Sequence, residues 1–361
     1  MSRQRQWKTK GAAVLAAAAM VLVTGCGSDK ESSDDKVSGE ATGTDGVTVE
    51  AAELTQVKFV LDWTPNTNHT GLYVAIAKGY FEAAGIEVEI LPYSSTSADT
   101  LVSTGQADFG VSAEDNVLFA RSTGAEVVSV FAVLQHWVTA IGVAADRDDI
   151  QSPKDLDGLT YAGFGLPGEA ERVAQIIRND GGAGDIEIVT LGTSAYEAVY
   201  SGDADMAEPF MTWEGIEAEL RGTPMKFFPY ADYGFPDCYN VVITANPSWL
   251  ESNADTAKAF LGALQQGYEY AAANPEESGQ ILIDANPGVF SEEELVTKSQ
   301  AELSANYLLD ANGKAGTQTA EQWSGYGSFL YEQGLLSDGE GNPLAAEPDW
   351  STYFTSDYLP S

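Results

Sequence analysis

The sequence predicts an α/β chain folded as two lobes, each a mainly parallel sheet with helices on both faces. Short β-rich runs alternate with runs whose apolar residues recur at helical spacing, which is the signature of parallel strands joined by crossover helices. The alternation occurs in two sets separated by the polar stretch Ala145-Asp146-Arg147-Asp148. A chain of 361 residues, 44% hydrophobic and 20% charged, also holds enough apolar material for two cores.

Residues 1–25 read as an export signal. Arg3, Arg5, Lys8 and Lys10 precede an apolar run from Ala12 to Val23, too short for the roughly 20 residues of a bilayer-spanning helix. The run closes on Val23-Thr24-Gly25-Cys26, which resembles the lipobox of bacterial lipoproteins. That resemblance implies lipidation of Cys26 as the new first residue, a membrane attachment through the lipid, and an extracytoplasmic body. Residues 26–54 are rich in Ser, Gly, Thr, Asp and Glu and read as a solvated, disordered tether.

The body begins with a strand over Val57–Leu61, a turn-rich loop over Asp62–Thr70 and a helix over Leu72–Ala84 that stops at Gly85. Strand Ile86–Leu91, helix Ser97–Ser103, strand Ala107–Val111, helix Val117–Ser122 and strands Val127–Leu134 and Val138–Ala144 follow. The second set runs through strand Leu159–Gly163, helix Glu169–Asn179, strand Ile186–Leu191, helix Ser194–Tyr200, strand Ala204–Ala207, helix Trp213–Leu220 and strand Met225–Tyr230. Asn240–Thr244 is a further strand after the turn Gly234-Phe235-Pro236-Asp237, and the remainder is mostly helical, most clearly at Ala257–Ala272, Glu292–Leu309 and Gln322–Gln333. The order implies that one lobe is inserted into the other: residues 55–143 and 240–361 form the first, residues 144–239 the second. The crossings are expected near Gly142–Arg147 and Pro236–Val241.

The charge narrows the partners. Lys and Arg total 18 against 54 Asp and Glu, a net charge of −36; loss of residues 1–25 removes four basic groups and no acid. Nucleic acid would be repelled, and a soluble, mutually repelling monomer is expected. Two cysteines, Cys26 and Cys238, and two histidines, His69 and His136, argue against a disulfide scaffold and against a cysteine or histidine metal cage. No metal or cofactor is expected.

In open parallel sheets, ligands sit beyond the carboxyl ends of strands, so the strand-to-helix loops are the places to read for chemistry. The loop from Asp62 to Tyr73 holds Asp62, Trp63, Asn68, His69 and Tyr73. A carboxylate beside an indole suits a flat heterocycle, with the ring stacked and an exocyclic amine donating to the acid. The same residues also fit a packed indole, a helix cap at Asn68 or Thr70 and a solvated imidazole. In the opposite lobe Glu208 and Trp213 offer a second acid and a second indole, whereas Glu214 sits where the helix dipole alone favours an acid. Gly163-Phe164-Gly165 would let backbone N–H groups approach a ligand around Gly165, but the lysine of a phosphate loop is missing. No Ser-His-Asp order and no HExxH motif is present.

The stretch from Leu61 to Ala75, Leu-Asp-Trp-Thr-Pro-Asn-Thr-Asn-His-Thr-Gly-Leu-Tyr-Val-Ala, resembles the family of thiamine-pyrimidine binding and synthesis proteins. The likeness continues through Gly79-Tyr80-Phe81, Gly105 to Val111, Ser152 to Leu156, and Trp213 to Glu217. It implies a periplasmic-binding-protein fold of the two-crossover type, with a permease and an ATPase of the ABC class as partners. The cargo it implies is a thiamine pyrimidine precursor, formylaminopyrimidine or hydroxymethylpyrimidine. Asp62 and Glu208 are then expected to accept from the amine, and Trp63 and Trp213 to stack. Asn68, Tyr73 and Asn240 would orient the polar edge, and His69, Ser112, Glu114 and Gly165 would complete the site.

The same family contains an enzyme branch that makes the pyrimidine from pyridoxal phosphate and its own histidine. The positions of that branch's cofactor lysine and sacrificial histidine hold Ser112 and Asn116 here, so neither a Schiff base nor an imidazole donor can form. A binder is the expectation, with riboflavin or another flat heterocycle as the alternative cargo. A sulfonate is disfavoured by acids facing the cleft.

Overall fold

The computed structural model describes residues 53–360 except 95 and 167. The export signal, Cys26 and nearly all of the tether lie outside the described residues. The body opens with β1 (Thr55–Val60), whose inward positions Val57, Phe59 and Val60 are buried. A 3-10 turn leads into α1 (Thr70–Ala77). The helix expected over Leu72–Ala84 is broken, because Gly79 takes a left-handed φ of 72° and starts a separate short helix, α2 (Tyr80–Ala83).

There follow β2 (Ile86–Leu91), α3 (Ala98–Ser103), β3 (Phe109–Ser112), α4 (Glu114–Ser122) and β4 (Val128–Leu134). The next set is β5 (Ala140–Ala144), β6 (Thr160–Gly163), α5 (Glu169–Asn179), β7 (Glu187–Thr190), α6 (Ala195–Ser201), β8 (Met206–Ala207), α7 (Glu214–Leu220) and β9 (Met225–Pro229). The chain ends with β10 (Val241–Ala245), α8 (Pro247–Ser252), α9 (Ala254–Ala273), α10 (Pro275–Ala285), α11 (Glu293–Asn306) and α12 (Ala320–Glu332).

Two five-stranded sheets result, ordered β2-β1-β3-β10-β4 and β7-β6-β8-β5-β9. In the first, β1 pairs parallel with β2 and β3, while β10 runs antiparallel to both β3 and β4. In the second, β6 pairs parallel with β7 and β8, and β5 is antiparallel to β8 and β9. Four strands of each sheet therefore share a direction, and the reversed one is the strand by which the chain has just crossed from the other sheet. That is the two-lobed α/β architecture expected from the sequence.

One boundary moves. Residues 140–143, assigned to the first lobe by sequence, belong to the second sheet, with Ala140 opposite Pro229 and Gly142 opposite Phe227. The outward crossing thus falls between Leu134 and Ala140 rather than at Gly142–Arg147. The strands on either side of this crossing are almost entirely apolar and buried, so hydropathy carries no sign of which sheet takes them. Two clamps hold the outgoing and returning crossings together. Asp237 accepts from the Trp137 N–H at 2.9 Å and lies 2.6 Å from His136 Nδ1. Asn240 Oδ1 accepts from the N–H groups of Val138 and Thr139 at 2.7 and 2.9 Å.

The core of the first lobe is a run of stacked rings, with Phe109 on Phe260 at 4.3 Å and Phe81 on Phe260 at 5.0 Å. Helix α12 reaches the second lobe as well. Trp137 stacks on Tyr230 at 4.7 Å and meets the edge of Tyr326 at 5.2 Å, and Phe329 lies 4.7 Å from Phe235.

Candidate functional site

A cavity of about 580 Å³ lies between the sheets, lined by loops from the carboxyl ends of strands in both. Asp62 and Trp63 enter it from the end of β1, and Ser112 from the end of β3. Phe164 and Gly165 come from the end of β6, Glu208, Phe210, Trp213 and Glu214 from beyond β8, and Asn240 from the return crossing.

The Asp62 loop is built by local hydrogen bonds. Asn66 caps the 3-10 turn, its Oδ1 accepting from the Asn68 N–H at 2.9 Å. The Asn66 N–H donates to His69 Nδ1 at 3.2 Å. With that nitrogen accepting, a neutral His69 ring carries its proton on Nε2, which lies 2.9 Å from Asp62 Oδ1 and donates to it. His69 is 1% exposed and is not among the cavity-lining residues. The expectation that it touches the ligand is corrected: it aims Asp62. Asp62 Oδ2 has no hydrogen-bond partner among the described residues, which leaves it available to a ligand.

Trp63 forms one wall with rings from both lobes, 5.4 Å from Tyr93, 5.8 Å from Phe164 edge-on and 6.4 Å from Tyr196. Trp213 also lines the cavity, braced by Phe290 at 6.1 Å. Tyr73 does not line it. Its ring is buried against Leu282 and Val296, with Trp213 alongside, so it supports the second indole and does not orient a ligand.

Glu208 is brought to the cavity but is not a free acceptor. Its Oε2 lies 2.8 Å from Arg172 Nη2, and its Oε1 accepts from the Thr139 hydroxyl at 3.2 Å. Arg172 also pairs with Asp115 on α4. Arg172 sits on a helix, outside the strand-to-helix loops where the sequence shows the site's acids. The legible signal was its place on α5: Arg172 lies four residues before Ile176, on the same stripe as the buried Val173 and Ile177.

Two further expectations change, at Gly165 and Glu114. Gly165 lines the cavity, but its N–H donates to Glu169 Oε1 at 2.7 Å, and the Phe164 N–H donates to Glu169 Oε2 at 2.9 Å. The acid at the start of α5 has taken the donors proposed for a ligand. Glu114 is fully buried away from the cavity, its Oε2 accepting from the Tyr239 N–H at 2.7 Å on the return crossing, and burial pushes its carboxyl up. Ser112 lines the cavity and donates to Asp99 Oδ2 at 2.7 Å. Burial raises Asp99 to about 6, against the Ser112 and Thr244 hydroxyls that favour its anion.

Asn68, Asn116 and Asn240 add amides to the lining. Asn240 spends its oxygen on the crossing and keeps its NH₂ for the cavity, and the buried Asn116 Oδ1 has no partner among the described residues. Glu214, which sequence reasoning discounted, is 5% exposed and lines the cavity, with Oε2 accepting from the Phe210 N–H at 3.0 Å. Burial pushes its carboxyl up to about 8.

This arrangement of two crossover-linked α/β lobes around a cavity is the periplasmic-binding-protein fold. An alkanesulfonate-binding protein from Xanthomonas axonopodis pv. citri has the same fold, with a TM-score of 0.61 and 14% identity over 86% of this chain and 99% of that one. The chain belongs to the NMT1/THI5-like family, whose model matches residues 66–278. A formylaminopyrimidine-binding protein of Halalkalibacterium halodurans is 29% identical over 83% of this chain and 90% of its own length. A riboflavin-binding protein of Chloroflexus aurantiacus is 26% identical over 85% and 87%. A 4-amino-5-hydroxymethyl-2-methylpyrimidine phosphate synthase of Legionella pneumophila is 26% identical over 64% of this chain and 74% of its own.

Proposed function

We propose that this protein is an extracytoplasmic solute-binding lipoprotein of an ABC-type importer, anchored through Cys26, that carries a thiamine pyrimidine precursor in the cavity between its lobes. The observation that carries the reading is Asp62. One of its oxygens is held by His69 at 2.9 Å, the other is open, and Trp63 stands beside it on the same cavity wall. A fixed carboxylate next to an indole accepts from an exocyclic amine while the ring stacks, and a charge-assisted contact of this kind contributes about 1.5–3 kcal/mol. Glu214, holding its proton at neutral pH, and the Asn240 NH₂ supply donors for the ring nitrogens and a formyl or hydroxymethyl oxygen.

The reading is of a binder and not a synthase. Ser112 offers no amine for a Schiff base and Asn116 no imidazole. Arg172, the cation that would face a cofactor phosphate, is already engaged by two carboxylates. The pyridoxal phosphate of the enzyme branch does not fit these residues.

Calorimetry of the protein with formylaminopyrimidine, hydroxymethylpyrimidine and thiamine tests the proposal. Saturable heat with one of the two precursors is expected, and none with either would defeat it. A second cargo is favoured by one observation. A cavity of about 580 Å³ with Tyr93 continuing the Trp63 wall exceeds what a single pyrimidine ring fills, so riboflavin belongs in the same titration.

A further inference from the structure

The cavity lining carries a polar chain that the binding reading uses only at Asn240. It starts at Asn240, the clamp between the crossings, which holds the Thr139 N–H. The Thr139 hydroxyl donates to Glu208, Glu208 pairs with Arg172, and Arg172 pairs with Asp115. Glu208 and Arg172 hang from the second sheet; Asp115 lies on α4, which follows β3 of the first. The last link therefore spans the cleft. The side chains of Arg172, Glu208 and Asp115 are 6%, 7% and 14% exposed, so water screens the pair weakly.

A separate feature places the two helices together. Gly168, the N-cap of α5, has a φ of +77°, and a Cβ there would lie 2.0 Å from Cζ of Phe119 on α4. The first turn of α5 is shaped to seat against the helix that carries Asp115. Burying a guanidinium costs several kcal/mol unless its partners are well placed, and an unpartnered partner is left when one is removed. Arg172 reaches its second carboxylate across the cleft: Glu208 belongs to its own lobe and Asp115 to the other.

We propose that Arg172 is the closing group of this protein: its ion pair with Asp115 draws the lobes together whether or not the cavity is filled, and Glu208 holds the guanidinium ready for that contact. Arg172 is thus a positioning residue, acting on the lobes and not on the cargo. The proposal does not depend on the identity of the ligand.

Small-angle X-ray scattering of the ligand-free protein tests it. Asp115→Asn should shift the radius of gyration upward relative to wild type, and Arg172→Met should do the same. Gly168→Ala should give the same upward shift by keeping the helices apart. An unchanged radius in Asp115→Asn, whose partner groups remain intact, overturns the proposal even if Arg172→Met fails to fold. Where the scattering responds but no pyrimidine binds, the latch stands and the ligand assignment falls. Where pyrimidine binds and the scattering does not respond, the latch falls and the assignment stands.

Discussion

Glu214→Gln should flatten the pH dependence of stability between pH 5 and 8. Glu214 opens α7 at 5% exposure, and burial lifts it from 4.5 to about 8, with Glu217 and Asp62 adding like charge and the backbone N–H groups opposing. The folded carboxyl therefore holds its proton more tightly than the unfolded one. Below pH 4.5 both forms are protonated, and the group's contribution is constant. As pH rises from 4.5 towards 8 the unfolded chain ionises while the folded one does not, and stability is lost at up to about 1.4 kcal/mol per pH unit. Across that window the loss is on the order of 5 kcal/mol at most. Glutamine keeps an oxygen for the Phe210 N–H and does not titrate. The melting temperature of the variant minus that of wild type should therefore climb by roughly 5–10 °C from pH 5 to pH 8. Differential scanning fluorimetry in matched buffers reads it. Parallel curves for the two proteins would refute the placement of a protonated carboxyl at this wall.

Trp63→Ala removes the ring shared by both lobes, and ligand affinity by calorimetry should fall about a hundredfold, in line with the loss of a central aromatic anchor. His69→Ala frees Asp62 Oδ1 and leaves the Asn66 N–H without its acceptor; the expected result is an affinity loss of roughly tenfold together with a lower melting temperature. Asp99→Asn removes a carboxyl raised to about 6, so the variant should lose less stability than wild type between pH 4 and 6, read by the same fluorimetry. Cys26→Ser should release the protein from the membrane pellet into the soluble fraction on cell fractionation, with ligand affinity unchanged.

The alternation of elements was legible because it is a local property. Strand Ile86–Leu91 and helix Glu169–Asn179 have the same bounds in sequence and structure, since each is fixed by its own periodicity and its own Gly or Asp terminators. The Asp62-Trp63 loop was legible for the same reason: acid, indole and amides lie within a few residues. Partners far apart in the chain were not. Arg172 and Glu208 are 36 residues apart and Arg172 and Asp115 are 57, and no local pattern says that these charges meet. The side on which β5 pairs was equally silent, because apolar residues bury well in either sheet.

That distinction bears directly on what the cavity selects. The sequence supplies Asp62, Asp99, Asp115, Glu208 and Glu214, which reads as a strongly anionic site suited to any cation. Folding alters four of them: Arg172 engages Asp115 and Glu208, two hydroxyls hold Asp99, and burial keeps a proton on Glu214. Asp62 is left as the carboxylate with an oxygen open to the ligand. On the proposed reading, a site with one open anion beside an indole discriminates by the position of a single amine relative to a flat ring, a geometric requirement that total charge alone does not impose.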